Sequence, residues 1–370
     1  MKEIQTNSGL ELQVVATGTH LSPEFGRTIT NIESDGFVLA EQVEMLLSSD
    51  TSVGIAKSIG LGIIGFADTF RRLMPDIVVV LGDRFEVFAA AQAALVARIP
   101  LAHLHGGETT EGAIDEAFRH CITKMAHLHF TATEEYRERV IQLGEHPERV
   151  FNFGAMAIDG IKKYKLLSRP DLEQALGFTF GPQNLLVTFH PVTLEADTAG
   201  QQFGELLAAL EDFTEPRLIF TMPNADTGGR VIRRMIEEFV TKHPERAVSY
   251  ESLGQLRYFS VMAQVDGLVG NSSSGLIEAP FFHIGTVNIG DRQAGRVKPA
   301  SVIDCQPTQQ SITGAFQCLY SNEFQALLPR VVNPYGDELV AHKIMKTLAE
   351  YPLDRILKKR FFKYPVLKED

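Results

Sequence analysis

Apolar residues in this chain come in short blocks, separated by stretches in which they recur every three or four positions. ELQVVATG (11–18), DIVVVLGD (76–83), PLAHLHGG (100–107), LHFTAT (128–133) and RVFNFGA (149–155) read as buried strands. Each closes on glycine or polar residues, and most lead into an apolar-periodic stretch such as 85–97, which reads as a helix. The pattern starts again with NLLVTFHP (184–191), RLIFTMPN (217–224), AVSYES (247–252), DGLVGN (266–271) and GTVNIGD (285–291). Strands alternating with helices imply parallel sheets with right-handed crossovers. Two successive sets predict two doubly wound α/β domains. The first spans 1–165 and is joined by a C-terminal helix over 350–370; the second spans 166–349. The seam is expected in the Lys-, Pro- and Gly-bearing stretch 162–182. Open parallel sheets bind ligands beyond the carboxyl ends of their strands. The residues just after each strand, facing a cleft between the domains, are therefore the ones to weigh.

The opening departs from this plan. Residues 1–7 read as the tail of a helix, with Asn7-Ser8-Gly9 as its C-cap, followed directly by a strand. A doubly wound domain normally opens with a strand and a Gly-rich turn. The favoured reading is a missing first strand, with Met1 an internal methionine of a longer frame. The alternative is a domain that begins with a short helix.

Charge and cysteine usage narrow the class. The 370 residues carry 35 basic and 46 acidic side chains, a net charge of −11 and a pI near 5.5. This excludes a general nucleic-acid binder, which needs a basic field, but leaves room for one anionic ligand in a locally basic pocket. Cys121, Cys305 and Cys318 are too few and too far apart for a disulfide framework or a C-x-x-C metal knuckle. A reducing, cytoplasmic setting is expected. MKEIQTNSGLEL lacks the apolar core of a signal peptide, and no apolar run approaches the ~20 residues of a bilayer span, so no membrane partner is expected.

The strand tips carry the chemistry. Asp83, in Gly82-Asp83-Arg84, stands at a helix N-terminus, where negative charge is favoured; it is a helix cap or a working carboxylate, with Arg84 as an anion partner. In His103-Leu104-His105-Gly106-Gly107-Glu108 the glycines allow a ligand to approach the protein backbone closely, and His105 and Glu108 are proton-transfer candidates. A metal on His103 and His105 would need further ligands, and none is assigned. Asp115 and Arg119 are spaced to pair on one helix face. His127 and His129 read as structural. His190, before Pro191, is held extended at a strand tip. Asn224 lies in the turn after another strand. Gly270 to Gly275 with Ser272, Ser273 and Ser274 reads as a strand, a small-residue turn and a helix start, an anion cradle with Glu278 one turn in. It is neither a Walker A loop nor G-x-G-x-x-G. Arg292 and Arg296 in a Gly-flanked loop suit a diphosphate.

These strings together resemble the UDP-N-acetylglucosamine 2-epimerase family, and within it the hydrolysing branch of sialic and nonulosonic acid synthesis. The carriers are THLSPEFG (19–26), GDRFE (82–86), HLHGGE (103–108), IDEAFRHCITKMAHLHF (114–130), HPVT (190–193), MPNADTGGR (222–230), GNSSSG (270–275) with Glu278, and NIGDRQAGR (288–296). They span nearly the whole chain.

The resemblance implies two Rossmann-like domains of the GT-B kind. It implies nucleotide contacts from Arg84, His190, Asn224, Ser272, Ser273 and Arg292, the ribose on Glu278, and acid–base work from Asp83, His105 or Glu108, Asp115 and His20, with His190 counted among the catalytic residues as well and His20 among the substrate-binding ones. It implies a UDP-sugar substrate, no cofactor, and a homodimer or homotetramer. The motifs fit UDP-N-acetylglucosamine and its 4-acetamido-4,6-dideoxy relative alike.

Three departures stand out. The family's opening T-G-T/S-R-A-D/E-Y segment is absent. Animal hydrolysing members and the isomerases carry Glu where His105 stands, which leaves open whether His105 or Glu108 takes that role. The Lys-His pair of product-inhibited animal members falls near Glu251-Ser252, where nothing is basic. A non-hydrolysing epimerase, a GT-B glycosyltransferase and an inactive UDP-sugar-binding homologue are the alternatives.

Overall fold

The computed structural model describes residues 1–23, 27–47, 51–109, 114–191, 198–223, 229–336 and 339–364. The chain divides into two compact units, Met1–Ala155 with Leu339–Asp370, and Met156–Glu338. The division falls ahead of the expected seam, because helix Met156–Lys163 belongs to the second unit.

The first unit holds two parallel sheets. β1 (Val14–Thr17) pairs with β2 (Leu39–Val43). β3 (Val78–Leu81), β4 (Leu101–Leu104), β5 (Leu128–Thr131) and β6 (Val150–Asn152) run in the order β3-β4-β5-β6. β4 and β5 are buried along their whole length, as parallel strands covered on both faces must be. Among the described residues β3 pairs with β4 alone, and on this edge strand Val79 and Leu81 are 40% and 55% exposed. Helices Ser52–Leu73 and Phe85–Val96 pack against each other over Val43, Met45 and Val80. Thr51 caps the first by accepting from the Gly54 N–H. At 22 residues this helix has the length and apolarity of a bilayer span, contrary to the expectation that no run does. It buries Phe66 and Phe70 in the core of this unit.

The second unit is one parallel sheet: β7 (Asn184–Thr188), β8 (Arg217–Thr221), β9 (Ala247–Tyr250), β10 (Gly267–Gly270), β11 (Gly285–Ile289) and β12 (Val302–Cys305), in the order β12-β11-β10-β7-β8-β9. The strand order reverses between β7 and β10. That crevice is where such sheets receive ligands.

Both termini differ in detail from expectation. The opening helix is Lys2–Gln5, closed by Thr6, and Asn7 turns its side-chain oxygen onto the Gly9 N–H. The last helix among the described residues is Val340–Glu350, because Pro352 cannot continue it; of the helix expected over 350–370, residues 365–370 lie outside the described residues. Residues 351–364 return over the first unit without a helix. There Lys359 donates to the carbonyls of Lys124 and Ala126, and the Phe362 N–H donates to the carbonyl of Gly144.

Candidate functional site

In the first unit the tips of β3 and β4 are tied together by a neutral histidine. His103 lies within β4, fully buried, and burial holds its ring at about pH 3 against the favourable bond to Gly82. Its Nε2 donates to the Gly82 carbonyl at 2.9 Å, and its Nδ1 faces the Thr123 hydroxyl at 3.2 Å. The two glycines of the motif stand in close packing. Gly106 lies against His103 and Thr123, and a Cβ on Gly107, whose φ is +79°, would stand 2.4 Å from the Tyr136 carbonyl oxygen.

His105 lies just past the strand. Its left-handed backbone, φ +64°, turns the ring away from His103 and onto Glu108, with Nδ1 2.6 Å from Oε1. Both side chains are largely buried. Arg119, from helix Ile114–Met125, is buried and forms an ion pair with Asp83. The same guanidinium binds Glu116 at 3.2 Å and donates to the Glu108 carbonyl at 2.7 Å. The expected Asp115–Arg119 pair is therefore not formed. The strand-tip carboxylate and the Glu108 carbonyl draw the guanidinium inward, while Asp115 stays half-buried in the first turn of the helix, with no ion pair among the described residues.

Arg84 caps the following helix, with its side chain largely exposed and 3.7 Å from Glu86. Glu86 is buried against Gly18, and its Oε2 has no hydrogen-bond partner among the described residues. His20 is exposed and pairs with Thr28 at 2.8 Å, not with the acid–base groups. Asp83, His105, Glu108 and Arg119 are thus brought together, and His20 is not joined to them.

In the second unit the reversal between β7 and β10 carries His190 and Asn271. The Asn271 amide bridges the crevice, accepting from the His190 N–H at 2.7 Å and donating to its carbonyl at 2.8 Å. The Asn271 carbonyl in turn accepts from Arg292 and Gln293 at 3.0 and 2.9 Å. Gly270 must be glycine: its φ is +135°, and a Cβ would stand 1.9 Å from the Thr188 carbonyl oxygen. Ser272 is buried, and Ser273 is the N-cap of a helix of only four residues, Ser274–Ile277. Pro280 then lies in a 3-10 segment, Ala279–Phe282, so the expected helix is present as a single turn. Gly275 abuts the Thr286 side chain.

Burial pushes the Glu278 carboxyl up, opposed by the Ser274 hydroxyl, and its Oε2 lacks a partner among the described residues. Tyr258, pushed up to about 12 by burial, hydrogen-bonds Ser274 and Thr188 beside it. Tyr258, Asn271 and Gln293 were missed from sequence. Asn271 at least stood inside the small-residue motif, whereas Tyr258 sits mid-helix with no motif around it. Asn224 lies outside the described residues.

Among the described residues no group of three or more His, Cys, Asp or Glu is arranged to hold a metal ion.

The chain is 42% identical over 360 residues to the GDP/UDP-N,N'-diacetylbacillosamine 2-epimerase (hydrolyzing) of Campylobacter jejuni, covering 97% of this chain and 93% of the relative. It is 36% identical to the UDP-N,N'-diacetylbacillosamine 2-epimerase (hydrolyzing) of Legionella pneumophila, covering 95% and 92%. The fold matches that of the UDP-GlcNAc 2-epimerase from Neisseria meningitidis solved with UDP-GlcNAc, with a TM-score of 0.81, 18% identity and 94% of each chain covered. A family model described as UDP-N-acetylglucosamine 2-epimerase matches residues 2–349, and the chain belongs to that family.

Proposed function

We propose that this protein is a hydrolysing UDP-sugar 2-epimerase acting on a UDP-2,4-diacetamido-2,4,6-trideoxyhexose. The products are the free 2-epimeric sugar and UDP. The C2 proton is removed and UDP leaves C1 by anti elimination, giving a 2-acetamidoglycal. Water then adds at C1, and C2 regains a proton from the opposite face. One water is consumed and no electrons change hands, so the chemistry calls for no redox cofactor. It does call for a base, an acid and a clamp on the departing diphosphate.

The observation that carries the reading is the meeting of Asp83, after β3, with His105 and Glu108, after β4, around the buried Arg119. Asp83, His105, Glu108 and Asp115 are assigned the proton transfers, with Arg84, Arg119 and His20 on the substrate. His190, Ser272, Ser273, Ser274, Gly275, Arg292 and Asn224 are assigned to UDP. The unpartnered Oε2 of Glu278 suits a ribose hydroxyl. The names of the Campylobacter and Legionella relatives favour the diacetamido sugar over UDP-N-acetylglucosamine.

The same reading includes a homodimer or homotetramer, supported by exposed Val53, Leu61 and Ile64 on one helix of the first unit and Leu95 and Val96 on its neighbour. A cytoplasmic setting is supported by three free thiols.

The test is mass spectrometry of products from both UDP-sugars, in D2O and without an acceptor. Free sugar carrying one deuterium at C2, together with UDP, is expected from the diacetamido donor. A 2-epimer still joined to UDP would instead identify an isomerase. UDP release only with an added alcohol would identify a glycosyltransferase, and binding without turnover an inactive homologue.

A further inference from the structure

Arg119 brings a positive charge almost out of reach of water: its side chain is 4% exposed. Two carboxylates from different elements meet it. Asp83, after β3, pairs with one terminal nitrogen, and Glu116, a turn earlier on helix Ile114–Met125, lies 3.2 Å from the other. Glu116 is held in turn from its second oxygen, which accepts from His120 Nε2 at 2.9 Å. The spacing of Glu116, Arg119 and His120 puts all three on one face of the helix. None of this was assigned a role from the sequence, where Asp115 stood as the partner of Arg119.

A guanidinium taken out of water needs a negative partner at every stage of a reaction, because an uncompensated buried charge is strongly destabilising. In the chemistry assigned to this site Asp83 transfers a proton. Whenever it carries one, its charge falls from −1 to 0 and it no longer neutralises Arg119. Glu116 does so from the other side, and the Arg119–Glu116 pair stays neutral throughout. A second carboxylate on the same arginine also divides its pull, and a like charge nearby raises a carboxyl's affinity for a proton. Asp83 alone with Arg119 would be a poor base; sharing Arg119 makes it a better one.

We propose that Glu116 is a positioning residue, the second counter-ion of the buried Arg119, which lets Asp83 take up and release a proton without leaving that charge uncompensated. His120 fixes Glu116 in this place. The inference rests on the hydrolysing-epimerase reading and adds to it a residue that need not touch the substrate.

The test begins with UDP release by wild type from UDP-2,4-diacetamido-2,4,6-trideoxyglucose and from UDP-N-acetylglucosamine. No release from either overturns the functional reading, and this inference with it. With an active wild type, E116Q keeps the size of the side chain and removes its charge. Its kcat should fall by less than that of D83N, with UDP affinity unchanged. The acidic limb of its kcat–pH profile should move down by roughly one unit, because Asp83 gives up its proton more readily beside an unshared arginine. The other charged groups at this end of the unit are Glu108 with His105, Asp115 and His120 on the same helix, and Arg84 and Glu86 at the start of the helix packed against it. H120N disturbs the same helix but keeps both carboxylates, and should leave the limb unmoved. Melting temperatures give a second readout that needs no turnover. D83N and E116Q each leave one of the two carboxylates on Arg119, whereas the double variant leaves neither, so its loss should exceed the sum of the single losses. Additive losses, an E116Q limb that coincides with wild type, or one that H120N moves as far, overturn the assignment and leave the epimerase reading intact. So does a kcat loss in E116Q equal to that of D83N, which would put Glu116 itself in the proton transfer.

Discussion

The two residue clusters do different work, and single substitutions should separate them. Asp83 is paired with an arginine that has almost no access to water. Asp83→Asn keeps the shape and removes the charge. It should lower kcat by ~10²–10⁴ while leaving calorimetric UDP affinity nearly intact. It should also lower the melting temperature, because breaking a buried ion pair costs up to ~3–5 kcal/mol. Turnover within threefold of wild type would remove Asp83 from the chemistry.

Asn271→Ala should do the reverse. It deletes both bonds that hold the His190 backbone but leaves the 271 carbonyl in place for Arg292 and Gln293. Losing those two bonds is worth roughly 1–3 kcal/mol, so the Kd for UDP should rise about tenfold with little change in saturated turnover. An unchanged Kd would show that His190 needs no such support.

At the scale of elements, the strands buried along their whole length were the easiest to read from sequence, and the partly exposed β1, β3 and β9 were legible too because their residues form apolar blocks. β4, β7, β10 and β11 are buried along their whole length, mostly apolar or small, and are followed by glycine or polar residues, so their extents and tips could be read directly. β2, LAEQV, and β12, VIDC, were missed. They are partly exposed strands at sheet ends whose polar positions break the apolar run. Site residues at strand tips were legible for the same reason, while the partner of Arg119 was not. Helical spacing pointed to Asp115, and only the fold brings Asp83 close enough to win.

The return segment 351–364 was equally hidden, because its anchor is a buried carboxylate far away in sequence. Glu145 accepts from Lys124, Lys359 and His129. Burial alone would raise its pKa, but these bonds outweigh it and hold the group at about 2. His127, nearby, is held at about 4 by burial and by the charges of Lys359 and Arg149.

The signs of these shifts agree. Once unfolded, His127 and His103 titrate near 6.5, so below that pH the unfolded chain takes up protons that the fold refuses. Stability should be complete above about pH 6.5 and fall as pH drops toward 4 and then 3. Glu145 adds a second loss between 4.5 and about 2. At ~1.4 kcal/mol per unit, His127 alone contributes roughly 3 kcal/mol. Melting temperatures measured by calorimetry should decline from pH 6.5 downward, and His127→Asn should flatten the part above pH 4. A constant melting temperature from pH 7 to 4.5 would contradict the neutral buried histidines.

At the scale of the whole molecule, the question is what covers the apolar outer surface of the first unit. Helix Ser52–Leu73 buries Phe66 and Phe70 inward, yet Val53 and Ile64 are more than 60% exposed, and Val96 on the neighbouring helix is 82% exposed. Burying such a side chain is worth about 1.5–3 kcal/mol. A two-fold pair counts every contact twice, because the same patch faces itself. A few of these residues then approach the ~4–15 kcal/mol that association costs. The opposing term is charge, since each chain brings −11. Salt screens that repulsion without weakening apolar contact. The expected outcome is a dimer or larger at micromolar concentration by light scattering, tightened by added salt. Ile64→Glu should shift it to monomer, because two carboxylates would have to be buried per interface, while a single chain keeps its melting behaviour. A wild-type monomer, or an Ile64→Glu variant that associates as wild type does, would place the interface elsewhere.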